Sequence, residues 1–502
     1  MNPTIPSSAL ESLTQQMTQH LTHMLQTLGQ HVQEDGTTLT TIEQAVVPAI
    51  RAFGAMLITG FCRLLTTQDV ARTVLCGCGQ QAHYQRIRLA TVTTVLGPIQ
   101  IPRAYYLCAA CHHGQAPADA TLQIVAGSVS DGLAEVMTLL GATQDSFADA
   151  AALLDRLTLV HVCPNSVRHV TEALGTHLLT ADRRQAHAQQ DARTCHPASS
   201  PTRARLPRLY ISMDGIQVHF RQVGWGELKV GCVYQTTTRT DPTRPDQLVI
   251  RLDQPSYCAQ RSDPTSFAAL LWQEAVRRDI LHAEEVIVLG DGSAWIWGIA
   301  ETQFAGATQI LDWYHASSYV WTAAQAIWPT DDAQRTQWVR TQLTALWESR
   351  VDDVLGERDR YRARGEAVVT TITYYTNQRS RMDYAAYRAR GLQIGSGSIE
   401  SACKQLVTSR LKGAGMVWDE AGAEAVVTVR AYLKSGRWDE AMARRPQRHR
   451  SYARTAGDPC GTSPAGCASP GFAAHMRRCR DTRSAVAPLP STDPTRGVCT
   501  GA

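Results

Sequence analysis

Between residues 209 and 311 short apolar runs alternate with helical stretches, and two of those runs stop on an aspartate followed at once by glycine. Tyr210-Ile211-Ser212-Met213 leads into Asp214-Gly215, and Val286-Ile287-Val288-Leu289-Gly290 leads into Asp291-Gly292. Local patterning predicts strands over 209–213, 229–234 and 248–252. A helix over 266–281, a strand over 286–289, a helix over 295–304 and a strand over 308–311 follow. Strands first and strand–helix alternation afterwards confine this region to a mixed sheet flanked by helices, so the fold class is α/β.

An acid at the carboxyl end of a strand leaves a rigid sheet edge for the crevice where ligand chemistry collects. A single Asp-Gly after a strand is also an ordinary turn, so the repetition carries the argument. A third acid joins them in Gly395-Ser396-Gly397-Ser398-Ile399-Glu400, where a glycine-serine turn delivers Glu400 to the first turn of a helix bearing Lys404, Arg410 and Lys412. Three carboxylates brought together repel one another unless a hard divalent cation, magnesium or manganese, lies among them. Such ions activate a water or hydroxyl for in-line attack on a phosphodiester. A glycosidase also uses paired acids, but that reading leaves the three basic residues without a role. Asp312-Trp313-Tyr314-His315 forms a second cluster after a strand. His315 there either handles nucleic acid, carries a proton, or is a structural histidine at a helix start.

These blocks occur in a fixed order with Gly224-Trp225-Gly226-Glu227-Leu228-Lys229-Val230-Gly231 between the first two acids and Ser409-Arg410-Leu411-Lys412-Gly413-Ala414-Gly415-Met416-Val417-Trp418 after Glu400. Taken together, over roughly residues 70 to 440, the chain resembles the DDE-type transposases of bacterial insertion sequences, specifically the ISKra group related to the Mutator-like superfamily. The resemblance implies an RNase H-like catalytic domain with Asp214, Asp291 and Glu400 as its metal-binding triad. It implies metal-dependent cleavage at insertion-sequence ends and strand transfer into target DNA, by a protein that works as a homo-oligomer. The gaps between the acids, 77 residues (214 to 291) and 109 residues (291 to 400), leave room for a helical insertion in the second. Asp312 and His315 match the superfamily's D-x-x-H element, which implies DNA handling, as do Lys404, Arg410 and Lys412. Trp225 is expected to pack and Lys229 to be a strand residue. The alternative is a catalytically inactive DNA-binding protein, a repressor or decayed transposase copy.

Upstream, alternation over 91–95 and 99–106 around Gly97-Pro98 reads as a hairpin. Cys76-Gly77-Cys78 and Cys108-Ala109-Ala110-Cys111 bracket it. Cys76, Cys78, Cys108 and Cys111 so placed read as a zinc ribbon. The first half is one residue shorter than the usual C-x-x-C, so reduced thiols without metal are the other reading, and His83, His112 and His113 are substitute ligands nearby. Arg86, Arg88 and Arg103 around the hairpin suit phosphate contacts. Helical stripes through 131–175 match a helix-turn-helix-like DNA-binding region.

The division that results is an N-terminal helical region (1–69), a zinc-ribbon-like module (70–125) and a helical DNA-binding region (126–184). A polar linker (185–208) leads to the catalytic core (209–316), a helical insertion (317–390), a C-terminal catalytic helix region (391–443) and a disordered Pro- and Arg-rich tail (444–502). Leu10, Leu13, Met17, Leu21, Met24 and Leu28 form one helical stripe that serves either dimerisation or packing on its own domain. The apolar run 46–65 contains Pro48, Arg51 and Arg63 and reads as a buried or interface helix rather than a membrane span. The opening lacks a basic region followed by an apolar core, so no signal peptide is expected. The 14 cysteines then read as reduced thiols of a cytoplasmic protein. A net charge of +4 over 502 residues is too dilute to identify a partner by itself.

Overall fold

The computed structural model describes residues 5–33, 37–67, 70–125, 127–192, 206–241 and 244–446. They belong to one compact unit, Met1–Tyr452. The expected disordered tail lies, from residue 447 on, outside the described residues.

Two long helices, α1 (Ser7–Val32) and α2 (Leu39–Thr67), lie side by side. Of the α1 stripe only Leu13 is buried, and it closes on Gly60 of α2. The helix expected over 46–65 as buried or interfacial is half-exposed, with Val47, Ile50 and Phe61 on the outside. Among the described residues α2 is the one helix long and apolar enough to cross a membrane by length and composition.

A five-stranded sheet follows, in the order β1 (Thr73–Leu75), β2 (Gln81–Thr94), β3 (Gly97–Cys108), β4 (Gly114–Gln115), with β5 (Ser128–Val129) beside β2. Helix α2 rests on β3. The predicted hairpin is β2–β3, but Gly97 and Pro98 open β3 rather than form the turn. Thr94 pairs with Gly97, so the loop is Val95-Leu96, closed by a bond from the Leu96 N–H to the Thr94 hydroxyl at 3.2 Å.

After the short α3 (Pro117–Thr121) come α4 (Asp131–Thr143), α5 (Phe147–Thr158) and α6 (Pro164–Ala192). Ser130 and Ser146 cap the first two, each accepting a backbone N–H of the first turn. Helix α6 runs well into the segment expected as a linker. Its polar residues have partners: Asp182 accepts from the Tyr432 hydroxyl at 2.9 Å, and Arg183 reaches Glu424 at 2.9 Å.

The second sheet has the order β10–β9–β6–β7–β8, with β6 (Leu206–Phe220), β7 (Gly224–Asp241), β8 (Arg244–Gln260), β9 (Ala283–Gly290) and β10 (Thr308–Leu311). Strands β6, β7 and β8 are antiparallel, while β9 and β10 add in parallel to β6. This is the mixed α/β sheet that the sequence predicts. Helices α7 (Pro264–Arg277) and α8 (Ala294–Gln303) fall close to their predicted positions.

The predicted helical stretch after β10 consists of α9 (Trp313–Ile327), α10 (Asp332–Trp347), α11 (Val351–Asp359), α12 (Glu366–Gln378) and α13 (Tyr384–Ala389). Trp328 and Trp338 anchor it by packing on Tyr361. Trp321 is exposed on α9. Helix α14 (Gly397–Cys403) passes through a π-helical turn, Lys404–Thr408, into α15 (Ser409–Leu411), and α16 (Glu420–Lys434) and α17 (Trp438–Ala443) complete the unit. Helix α16 lies on α6 and β8. Gly175 of α6 faces the backbone of Ala425 so closely that no Cβ fits there.

Candidate active site

Register brings the acids together. The β6–β9 ladder ends at Ser212 opposite Leu289, and each aspartate stands two residues further on, 212 to 214 and 289 to 291. The β9–β10 ladder ends at Leu311 opposite Gly290, so Asp312 stands one residue past its last pair, as Asp291 does. Asp214, Asp291 and Asp312 therefore line up across three neighbouring strands, each just past its last parallel pair. The prediction needs one correction here: Asp214 does not end its strand. β6 continues against β7 to Phe220, and Asp214 marks only the end of the parallel ladder.

Asp214 is partly buried, accepting the N–H of Gly215 at 2.7 Å and facing the Cys403 thiol at 3.8 Å. Burial and the charge of Asp291 raise its carboxyl above the ordinary value, against the Gly215 N–H and His315, which favour the charged form. Asp291 accepts the N–H of Ser293 at 2.8 Å and its hydroxyl at 3.1 Å. The Asp291 carbonyl accepts the Tyr374 hydroxyl at 2.6 Å, and Gln378 reaches the carbonyl of Gly292 at 3.1 Å, so α12 holds this turn from above. Glycine is required at 292, because φ is +102° and a Cβ would lie 2.6 Å from the Tyr374 ring.

Asp312 is fully buried. It accepts the N–H of Ser396 at 2.6 Å on one oxygen, and the N–H of His315 at 2.7 Å with its Nδ1 at 2.9 Å on the other. The Asp312 bond, foremost, raises the pKa of His315 against burial, and the charges of Asp312, Asp291 and Asp214 add to it. Glu400 lies in the first turn of α14 with its carboxylate exposed and accepting the Ser396 hydroxyl at 2.8 Å. One ligand atom each from Asp312, His315 and Glu400 lie within 4.8 Å of one another. Cys403, on the same helix as Glu400, is pushed up by burial and then by the charges of Asp214 and Glu400. The carboxylates thus share one electrostatic neighbourhood, open on the Glu400 side, with oxygen donors suited to a hard divalent cation.

The basic residues after Glu400 separate. Lys404 and Lys412 are exposed. Arg410 is turned inward, so it does not reach a surface ligand: its guanidinium donates to the carbonyls of Gly141 and Asp145, both at 3.1 Å, and lies over Phe147 and Trp418. Sequence reasoning missed Ser396, Cys403, Tyr374 and Gln378 as parts of the site. Only Cys403 left a signal, three residues beyond Glu400 and hence on the same helix face. Lys229 is a buried strand residue bonded to Glu227 at 2.6 Å. Trp225, expected to pack, is 67% exposed.

A second cluster lies in the first sheet. Cys76 and Cys111 Sγ are 3.5 Å apart, Cys78 and Cys108 Sγ 3.6 Å, and all four sulfurs lie within 4.8 Å. Sulfurs around a tetrahedral zinc at ~2.3 Å are roughly 3.8 Å from one another, so this donor set fits that ion. The short C-x-C half is accommodated by a turn in which the Gly79 N–H donates to the Cys76 carbonyl at 2.9 Å. The N–H of Cys111 draws Cys108 down to about 7, whereas Cys111, despite the N–H of His113, is held up to about 12 by Cys78 and Cys76. As four thiolates they would repel one another unless a cation lay among them. Of the arginines expected around this hairpin, Arg86 and Arg88 are exposed, Arg88 over the Tyr105 ring, while Arg103 is paired with Asp119.

No curated protein matches the chain. The model of one family, described as Uncharacterised protein family (UPF0236), matches residues 78–445, a span that runs from the second cysteine of the sulfur cluster to the last helix and takes in the first sheet from β2 on, the whole second sheet and every acid named above. The chain belongs to that family.

Proposed function

We propose that this protein is a DDE-type transposase like those of the ISKra group that its motifs resemble, with an RNase H-like core formed by the second sheet. The observation that carries the reading is the register of β6, β9 and β10, which aligns Asp214 with Asp291 just past the last pair of their parallel ladder. Asp214, Asp291 and Glu400 would hold magnesium or manganese. When bound, such ions would activate the attacking oxygen and neutralise charge on the phosphodiester.

The chain's own residues orient and position. Ser293 fixes the Asp291 carboxylate and Ser396 that of Glu400. Asp312 holds His315 through Nδ1, leaving Nε2 for the nucleic acid. In the first step a water oxygen bonds to phosphorus at an element end as the bond to the 3′ oxygen breaks. In the second the freed 3′-hydroxyl bonds to a target phosphorus and displaces the target's own 3′ oxygen. Both steps use one site. Lys404 and Lys412 remain candidates for backbone contacts.

Upstream, the four cysteines would hold zinc in a ribbon whose exposed Arg86 and Arg88 face phosphate. Helices α4 to α6 would supply the helix-turn-helix-like part, through the first turns of α6, since its later turns are buried against α16. The exposed Leu10, Leu21 and Leu25 of α1 are in keeping with a homo-oligomer in the cytoplasm. The test is strand cleavage on DNA carrying the element's ends. Magnesium-dependent nicking that Asp291→Asn abolishes supports the enzyme. Tight binding without cleavage in any divalent ion supports the inactive DNA-binding protein instead.

A further inference from the structure

The turn between β6 and β7 carries an aromatic surface that the carboxylate site does not use. Trp225, at the start of β7, is 67% exposed, and its only ring partner among the described residues is His219, 5.2 Å away and tilted by 48°. Val223 beside it and Val417 are exposed as well. Exposed apolar side chains gathered in one patch mark an interaction surface.

The mount is rigid. The N–H of Arg221 donates to the Trp418 carbonyl at 2.9 Å, and the N–H of Trp418 returns to the His219 carbonyl at 3.0 Å. Trp418 is itself buried, its indole N–H donating to the Leu411 carbonyl at 3.1 Å. The tip is thus bolted to the segment that follows the Glu400 helix. Around it, Arg221 and Lys412 are exposed and have no carboxylate partner among the described residues. The nearby acids are committed elsewhere: Glu227 to Lys229, Glu420 to Arg261, and Asp419 to the Gly422 N–H at the start of α16. A protein partner would be met by an aromatic patch alone. Unpaired cations flanking the aromatic favour a polyanion with flat rings, which is a nucleic-acid strand.

We propose that this tip captures an unstacked base of a DNA strand, with Trp225 as the stacking platform and Arg221 and Lys412 on the flanking phosphates. The inference rests on the nucleic-acid reading of the chain but not on cleavage. His219 stands five residues beyond Asp214 on the same strand, which at about 3.3 Å per residue is ~17 Å. That is roughly five base steps at about 3.4 Å each. The captured base would lie that far from the bond at the acids.

The test uses the full chain with Asp291→Asn, so that DNA is bound but not cut, and a fluorescein-labelled oligothymidylate followed by anisotropy. Trp225→Ala should weaken binding about tenfold, the loss of one base–aromatic stack, and Trp225→Phe by much less. Arg221→Gln with Lys412→Gln should lower the slope of log affinity against log salt by roughly 1.4. An unchanged thermal midpoint in Trp225→Ala, expected for an exposed side chain, assigns its effect to binding. Oligonucleotide affinity that is equal in the parent and Trp225→Ala, or absent in both, overturns the proposal. If the Trp225 effect holds while the wild-type chain cuts nothing, the capture site stands and the enzymatic reading alone falls.

Discussion

The backbone N–H of Ser396 donates to Asp312 at 2.6 Å, and this bond ties the end of β10 to the turn that delivers Glu400. The Ser396 hydroxyl then bonds Glu400 itself. A buried carboxylate thereby sets the position of an exposed one.

Removing either bond should loosen Glu400 without unfolding the sheet. Partners of this kind typically change metal affinity or activity by 10- to 100-fold when lost. Ser396→Ala should therefore raise the magnesium concentration for half-maximal cleavage by about tenfold, with Ser396→Thr restoring most of it. Asp312→Asn, which loses an acceptor for two or more donors, should cost about a hundredfold in kcat. An unchanged magnesium requirement in both variants would show that Glu400 is held by the helix alone.

Asp214 makes the apo protein less stable at neutral pH. Its folded pKa is raised, so the protonated form is favoured in the native state. Its contribution to stability is then greatest at acid pH and falls as pH rises from the unfolded value of about 3.9 through the folded one. Asp214→Asn should raise the Tm without metal at neutral pH and leave it little changed at acid pH. Manganese should raise the wild-type Tm and not that of the variant. A variant that melts lower than wild type at neutral pH would contradict the repulsion described for this site.

Arg410 is a structural clamp, and Lys412, two residues away, is a surface residue. Burial lowers the Arg410 guanidinium to about 10, with Arg430 adding to it. Arg410→Met should cost about 3 kcal/mol in urea unfolding, since it leaves buried carbonyls unsatisfied and a gap beneath Phe147 and Trp418. Lys412→Ala should stay within about 0.5 kcal/mol of wild type. Equal costs would place both side chains at the surface.

The sulfur cluster should hold one zinc per chain, measurable by elemental analysis. Cys78→Ser should lose it, although Cys78 is among the exposed members. A strong chelator should then lower the Tm of the wild type and not that of the variant, because metal binding there is folding energy. Zinc retained by the variant would mean that a histidine such as His112 has replaced the thiolate.

Legibility followed physical locality. Strands β9 and β10 and the hairpin β2–β3 were readable because their alternation is local, and the acids because Asp-Gly and Gly-Ser turns are written in adjacent residues. Pairing partners were not. That Asp214 lies inside a strand depends on β7, which supplies a second ladder where the first stops. That Arg410 points inward depends on carbonyls far earlier in the chain, at Gly141 and Asp145. Helix α6 seats on α16 through Asp182 and Arg183, whose partners Tyr432 and Glu424 lie 250 and 241 residues on, and the exposure of Trp225 is not encoded by residue type.

The seating of α16 on α6, seen at Gly175 and Ala425, has a consequence for synthesis. A ribosome that has released the chain through β10 has made both strand-end aspartates, but neither the helix that carries Glu400 nor the one that covers α6. Long-range closure of this kind is slow and leaves the intermediate exposed. It also means that a chain cut short before α14 carries Asp214 and Asp291 without Glu400, and an α6 without its cover.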